Sequence, residues 1–461
     1  MQASLSTHAL APAPLPPGPS AWSLLGSIGA VRADPLGYLM REAARYGDVV
    51  SLPLVERLTL VNHPDHVQHV LQERHAHYTK GFQYARLRPL LGDGLLTSEG
   101  EFWKRQRRLA QPAFHKQRIQ GFLGAFVDHT QAMLSRWAAR TAGAPLDLHA
   151  EMNALTLQIA GATLFSADLT GAASDVGRAL TTAIRITNAR TNALWPVPVG
   201  VPTPQNVRYR RAIRELDRVV GGIIEARRTT AERHDDLLAM LMEAEDADTR
   251  ERMSDRQLRD EVMTMILAGH ETTANALSWA FWLLSTHPEW ERRLHAETTA
   301  ALAGRAPALT DLPKLGLATR VVEEAMRLYP PAWIFSRKAM AEDEIGGYRI
   351  PAGSTVSICT YALHRHPKFW PNPEGFDPDR FLPAAVAARP RWAYVPFAGG
   401  PRQCIGNSFA LLEAQVAVAM IVQRFRVELV PGQVIAPEPT VTLRPRHGVR
   451  VTLRARAPGV C

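Results

Sequence analysis

One cysteine stands where a thiol is put to chemical use. The run Pro396-Phe-Ala-Gly-Gly-Pro-Arg-Gln-Cys-Ile-Gly406 sets Cys404 on a glycine-rich turn, and a helical pattern from Asn407 to Phe425 follows at once. Backbone N–H groups at a helix start point outward and favour negative charge, so this sulfur is expected as a thiolate. Gly399 and Gly400 permit a sharp turn, and Gly406 lets a flat ligand lie close to the backbone. A lone thiolate of this kind suits one axial bond to a metal whose other ligands a cofactor brings. The competing reading is an inert buried thiol, the usual state of a lone cysteine.

A second constellation lies in a long helical run. Ser254-Asp-Arg-Gln257 reads as a capping box at its start, and Pro288 closes it. Its middle is Ala268-Gly-His-Glu-Thr-Thr273. Gly269 costs a helix about 1 kcal/mol relative to Ala, and the expected return is room beside the helix for a flat ligand and dioxygen. Glu271 and Thr272 add an acid and a hydroxyl at that gap. Breaking an O–O bond at a metal requires protons on the outer oxygen. A hydroxyl that holds water and a carboxylate that relays protons meet that need. Against this, mid-helix threonines commonly bond only their own helix carbonyls.

Three further runs contribute charge. Glu324-Ala-Met-Arg327 puts an acid and a base at i, i+3, a pair that on a solvated helix face means little. Phe376-Asp-Pro-Asp-Arg-Phe381 flanks Arg380 with aromatic residues. Trp103-Lys-Arg-Gln-Arg107 places Trp103 and Arg107 on one helix face, with Arg105 and Arg108 left to the surface.

Together these segments resemble the cytochrome P-450 family. Phe397, Gly400, Arg402, Cys404 and Gly406 match its F-x-x-G-x-R-x-C-x-G haem loop, and the Ala268–Thr273 stretch resembles its oxygen-activating helix. The resemblance covers the chain from residue 20 onward and implies haem b with Cys404 as axial ligand. It implies a buried ion triad of Glu324, Arg327 and Arg380 shaping the cysteine pocket. Trp103 and Arg107 match the W-x-x-x-R helix that reaches the haem propionates, and Arg337 and Arg402 are further propionate candidates because arginine grips carboxylates in pairs of hydrogen bonds. His364 is expected as a structural hydrogen-bonding residue, and His270 as a helix-packing or pocket residue.

The elements that must position these residues are mostly helical. Helices are expected over Asp65–Glu73, Gly100–Ala110, Lys116–Ala139, Leu148–Phe165, Ala173–Asn188, Asn206–Thr229 and Asp235–Glu245. Strands are expected at Asp48–Leu54 and Arg57–Asn62 as a hairpin, and at Glu344–Ile350, Thr355–Cys359 and Thr440–Leu453. The fold class is mainly α with small peripheral sheets, the α+β cytochrome P-450 fold. It is expected as one domain over residues 21–461 after a flexible Pro/Ala-rich segment, residues 1–20. The composition of the 461 residues, 46% hydrophobic and 21% charged, is that of a globular protein. Three cysteines, Cys359, Cys404 and Cys461, cannot build a disulfide framework and fit a reducing compartment. No membrane-anchor helix is read. The longest apolar run, Val262–Leu284, carries His270, Glu271 and Asn275 and suits a buried core helix.

Function follows as expectation. The chain reads as a haem-thiolate monooxygenase that takes O2 and inserts one oxygen atom into a C–H bond. Electrons derive from NAD(P)H through a separate ferredoxin or flavodoxin with its reductase, since no flavin- or nicotinamide-binding segment is read. The net charge of +9 suits an acidic protein partner docking on cations such as Lys104, Arg105 and Arg108. No nucleic-acid motif accompanies it. A non-catalytic haem sensor of gas or redox state is the rival from another class, and the Glu271–Thr272 pair speaks against it. A peroxide-driven relative is the third reading. More narrowly, Gly81-Phe-Gln-Tyr84, Gly94-Leu-Leu-Thr97 and Arg327-Leu-Tyr-Pro-Pro-Ala-Trp-Ile334 resemble bacterial carotenoid-ring hydroxylases of the family. Phe82, Tyr84, Leu90, Leu91, Leu95, Leu96, Ala268, Ala332, Trp333, Ile334 and Phe335 would then line an apolar pocket. The expected substrate is a carotenoid ring, with fatty acids or other lipids and terpenoids as alternatives. A monomer in the cytoplasm is expected. The apolar loop Ala193–Val201 either touches the inner face of a membrane or packs on the core.

Overall fold

Amphipathic runs closed by capping side chains and prolines give this chain its helices. The computed structural model describes residues 13–20, 22, 29–53, 57–141, 143–167, 173–191, 193, 197–230, 234, 236–245 and 250–456, and every structural statement concerns these alone. The helices are α1 (Pro35–Tyr46), α2 (Pro64–Gln68), α3 (Phe82–Leu91), α4 (Gly100–Ala110), α5 (Lys116–Gly121), α6 (Leu123–Ala138), α7 (Leu148–Phe165) and α8 (Ala173–Thr191). They continue as α9 (Pro204–Thr229), α10 (Leu237–Glu243), α11 (Asp255–Thr286), α12 (Pro288–Leu302), α13 (Gly316–Leu328), α14 (Thr360–Leu363), α15 (Pro383–Ala388) and α16 (Asn407–Arg424).

The axis of the molecule is α11. Ser254 Oγ accepts from Gln257 N at 3.3 Å while Gln257 Oε1 accepts from Ser254 N at 2.7 Å, so the capping box closes in both directions. Pro288 opens α12 just past the C-cap His287. From Leu258 to Leu284 most of α11 is buried on all sides, the state of a helix enclosed by others, here α7, α9, α13 and α16. Each Leu, Ile or Phe sealed there contributes about 1.5–3 kcal/mol.

The strands are β1 (Val49–Pro53), β2 (Arg57–Val61), β3 (Tyr78–Lys80), β4 (Leu146–Asp147), β5 (Phe335–Ala339), β6 (Asp343–Ile345), β7 (Tyr348–Ile350), β8 (Thr355–Ile358), β9 (Phe425–Leu429), β10 (Pro437–Pro439), β11 (Leu443–Pro445) and β12 (Arg450–Ala455). The first sheet runs in the order β1-β2-β8-β5-β3, parallel only between β2 and β8. A second joins β4, β12 and β9, and β6–β7 and β10–β11 are hairpins. This is the mainly helical architecture with small sheets that the sequence implies. In the first sheet Lys80 of β3 pairs directly with Arg337 of β5. That places two cations side by side.

Several elements differ from expectation. The run Lys116–Ala139 is two helices, because α5 ends at Gly121, a poor helix residue, and α6 restarts at Leu123. Asp65–Glu73 is helical throughout but changes type, α to Gln68 and π over His69–Glu73, with Arg74 N bonding back to His69 O at 2.8 Å. Glu344–Ile350 folds back on itself at Gly346 and Gly347, whose φ values of +58° and +80° exclude most side chains. Residues 1–12 of the expected N-terminal segment, much of the loop at 192–196, and Cys461 lie outside the described residues. Beyond residue 12, the carbonyls of Pro14 and Pro17 accept from Arg349 N and Ser51 N, each at 2.8 Å.

Candidate active site

Cys404 sits between the turn Gly400–Arg402 and α16, with its N–H bonded to Phe397 O at 3.0 Å. Gly400 takes φ +68°, and a Cβ there would meet Leu71 O at 1.8 Å, so the sharp turn requires glycine. At Gly406 a Cβ would meet only Phe114, at 3.7 Å, leaving the backbone open to a flat ligand. The sulfur is surface-accessible, but the surface is the wall of an internal cavity rather than the outside of the protein. Burial pushes its pKa up, and the Gly406 amide and Arg107 only partly oppose this. Burial is thus the larger influence on the thiol and the helix start the smaller one.

The cavity is about 1440 Å³ and runs from Cys404, Phe397 and Gly406 past the middle of α11 to Tyr38, Leu52 and Leu58 of α1, β1 and β2. Phe82, Tyr84, Leu95, Leu96, Ala268, Ala332, Trp333, Ile334 and Phe335 all line it. Leu90 and Leu91 do not; both are fully buried in the main core. Ala268 is exposed in the middle of an otherwise buried helix, so it looks into the cavity.

Thr272 also lines the cavity, and its hydroxyl donates to Ala268 O at 2.6 Å. Glu271 does not face it. Consecutive helix residues diverge by about 100°, which turns Glu271 toward β11. There its Oε1 accepts from Thr442 Oγ1 at 2.9 Å, and its Oε2 is buried with no partner. Burial raises the Glu271 carboxyl, against the pull of Thr442. Thr442 itself reaches the cavity wall, so the acid communicates with the cavity through that hydroxyl. Gly269 lines the same cavity, and a Cβ there would touch only Ala160 and Leu164 of α7, both at 3.9 Å. His270 is buried, with a pKa lowered to about 4 by burial, and its carbonyl accepts from Thr156 Oγ1 at 2.9 Å: it is a packing residue.

A cluster of cations occupies one side of the cavity. Lys80, Arg107, Arg337 and Arg402 line it with Trp103. Arg402 stacks on the Trp103 ring at 3.7 Å, donates to Ser98 O at 2.9 Å and pairs with Glu99. Arg107 donates to Gln403 O and to Gln111 Oε1, each at 2.9 Å, so it also braces the cysteine loop. Burial first, then Arg402, holds the Lys80 ammonium well below its ordinary pKa. Burial lowers Arg402 to about 10, with Arg337 adding to the effect. Sequence reading missed Lys80, since a lysine in a short strand reads as solvated. Arg105 is no free surface cation: it is paired with Glu251 at 3.1 Å.

Beneath the loop, Glu324, Arg327 and Arg380 come together. Arg327 grips Glu324 twice, Nε to Oε2 at 2.7 Å and Nη2 to Oε1 at 2.8 Å, both side chains fully buried. Arg380 Nε stands 3.4 Å from Glu324 Oε1. His364 Nε2 accepts from Val395 N at 2.9 Å and supports the same region, as expected of a structural histidine.

With this geometry in hand, comparison with known proteins is direct. The sequence profile of the cytochrome P450 family matches residues 16–452. The chain is 39% identical over 419 residues to Cyclooctat-9-en-7-ol 5-monooxygenase of Streptomyces melanosporofaciens, covering 90% of each chain. It is 38% identical over 441 residues to Cyclooctatin synthase of the same organism, covering 95% of this chain and 93% of that one. The crystal structure of the cytochrome P450DA heme domain superposes with a TM-score of 0.86 at 29% identity, covering 97% of this chain and 98% of the other. The chain belongs to the cytochrome P450 family and is an oxidoreductase of the monooxygenase type.

That family carries haem b on a cysteine thiolate, and the residues here fit it. Like charges directly opposite on paired strands are destabilising. Lys80 and Arg337 are nonetheless paired so, with Arg402 close by. Two propionate carboxylates would neutralise that cluster. Of the described cysteines, Cys404 opens into the cavity, whereas Cys359 is buried with a thiol raised to about 11.

Proposed function

We propose that this chain uses O2 and two electrons to insert one oxygen atom into a C–H bond of a large apolar cyclic terpenoid, releasing the other as water. The observation that carries the reading is that Cys404, Ala268 and Thr272 open into one cavity whose remaining wall is largely apolar. The relatives' names, which include a monooxygenase of cyclooctat-9-en-7-ol, favour a cyclic terpenoid. Haem b, when bound through Cys404, supplies oxygen binding and redox chemistry. Lys80, Trp103, Arg107, Arg337 and Arg402, which line one side of the cavity, would hold its carboxylates. Thr272 presents a hydroxyl at the cavity wall, and Glu271 places a carboxyl one hydroxyl further back, at Thr442. Phe82, Tyr84, Leu95, Ala268, Trp333 and Ile334 exclude water and orient the substrate. Hydroxylation of a carotenoid ring is the narrower reading, favoured by the length of the cavity, which extends to Leu52 and Leu58 and would take a long polyene. Electrons come from NAD(P)H through a ferredoxin or flavodoxin and its reductase.

Thr272→Ala tests the proton arrangement. Haem content should be unchanged while product per electron pair falls and peroxide appears, since positioned acid–base groups typically contribute about 10²–10⁴-fold. Full coupling in this variant would remove Thr272 from the chemistry. Titration of the purified holoprotein with a cyclic terpenoid alcohol and with a carotenoid, read as the shift of the haem absorption band, separates the two substrate readings.

A further inference from the structure

The arrangement described so far leaves one buried acid unused. Glu413, in the first half of α16, is 1% exposed, and neither carboxyl oxygen has a hydrogen-bond partner within ordinary geometry. No arginine or lysine contributes to its surroundings, which raise its pKa well above the carboxylate range through burial, opposed only by Thr273. An ionised carboxylate would stand uncompensated there, so the group holds its proton. The polar side chain that bears on it is Thr273 on α11. Thr273 is 3% exposed and forms part of the cavity wall. Its hydroxyl leans on Gly269 O at 3.4 Å, while its neighbour Thr272 donates to Ala268 O at 2.6 Å. Two successive hydroxyls thus bond two successive carbonyls of one helical turn, an arrangement that bends a helix.

We propose that Glu413 is a positioning residue: as a neutral carboxylic acid it donates to Thr273 Oγ1, and through Thr273 and Gly269 it fixes the turn of α11 that presents Ala268 and Thr272 to the cavity. This rests on the assignment of Thr272 to proton handling, and it adds a tie from the helix that follows Cys404 to the helix that carries Thr272. An amide at position 413 keeps both the donor and the neutrality. A thioether of similar length keeps neither donor nor acceptor of comparable strength.

The first readout is independent of turnover. An infrared difference spectrum of the purified protein minus Glu413→Gln, at neutral pH, should show loss of a carboxylic-acid C=O band. That band should shift in Thr273→Val and stay in place in Thr273→Ser. The second is coupling in the holoenzyme. Glu413→Met should lower product per electron pair about fivefold, the factor that one ordinary hydrogen bond is worth, and Glu413→Gln should restore it. Absence of the acid band, a band indifferent to Thr273→Val, or unchanged coupling in Glu413→Met each overturns the proposal. If Glu413→Met fails to fold, the two Thr273 variants still decide. If Thr272→Ala remains coupled, the assignment of Thr272 fails while the infrared bands still report on Glu413 alone.

Discussion

Replacing Arg327 with Met should separate charge burial from packing at the triad beneath the cysteine loop. The guanidinium holds Glu324 with two bonds of 2.7 and 2.8 Å and also donates to His364 O at 3.0 Å, Pro373 O at 2.7 Å and Gly375 O at 2.9 Å. Removing one partner of a buried pair costs about 3–5 kcal/mol. Each carbonyl deprived of its donor adds about 1–3 kcal/mol. The total rivals the whole stability of a typical domain, about 5–15 kcal/mol, so Arg327→Met should yield no stable holoprotein. Only Arg380, at 3.4 Å, and Asp377 N, at 2.9 Å, would remain on the Glu324 carboxylate. Adding Glu324→Gln to Arg327→Met removes the stranded charge, so the double variant should be more stable than Arg327→Met alone. The assay is denaturant unfolding followed by tryptophan fluorescence, with the haem-to-protein ratio as companion. A single variant that unfolds at the wild-type midpoint, or a double variant worse than the single, would refute the reasoning.

Cys404→Ser should keep the fold but lose the absorption signature of the reduced, carbon monoxide-treated protein; retention of that signature would point to another ligand. Burial pushes the Glu261 carboxyl up to about 7, against the Leu95 amide that it accepts at 3.0 Å. The unfolded chain therefore loses this proton first, and stability should fall as pH rises from the ordinary glutamate range toward 7. Glu261→Gln should flatten that slope in unfolding midpoints measured across the range, and parallel profiles for the two proteins would contradict it. Lys104 and Arg108 stand exposed on α4. Reversing both charges should slow reduction by an acidic ferredoxin at low salt, with the difference vanishing at high salt. A salt-independent rate would remove docking at this face.

What sequence made legible were features defined by local rules. The capping box at Ser254 and the proline at 288 bounded α11, and α4 and α7 begin and end where their patterns do. The cysteine loop was readable because glycine positions and helix starts have local causes. What escaped depended on neighbours distant in sequence. α3 carries Pro89 inside it and has little apolar periodicity, so packing rather than propensity makes it a helix. Lys80 matters because β3 lies beside β5, a pairing its own strand cannot announce. Glu271 was assigned to the cavity by adjacency to Thr272, yet one step along a helix is enough to turn a side chain to another wall.

The fit of Gly400 against Leu71 O bears on how the molecule is assembled. The loop that carries Cys404 takes its final shape only against a carbonyl contributed by the early part of the chain. Contacts between segments so far apart in sequence form late, because closing a long loop is entropically costly. A nascent chain cannot seat this turn until the segment around Leu71 has docked, so an insertion near residue 71 should impair cofactor loading more than it disturbs any helix.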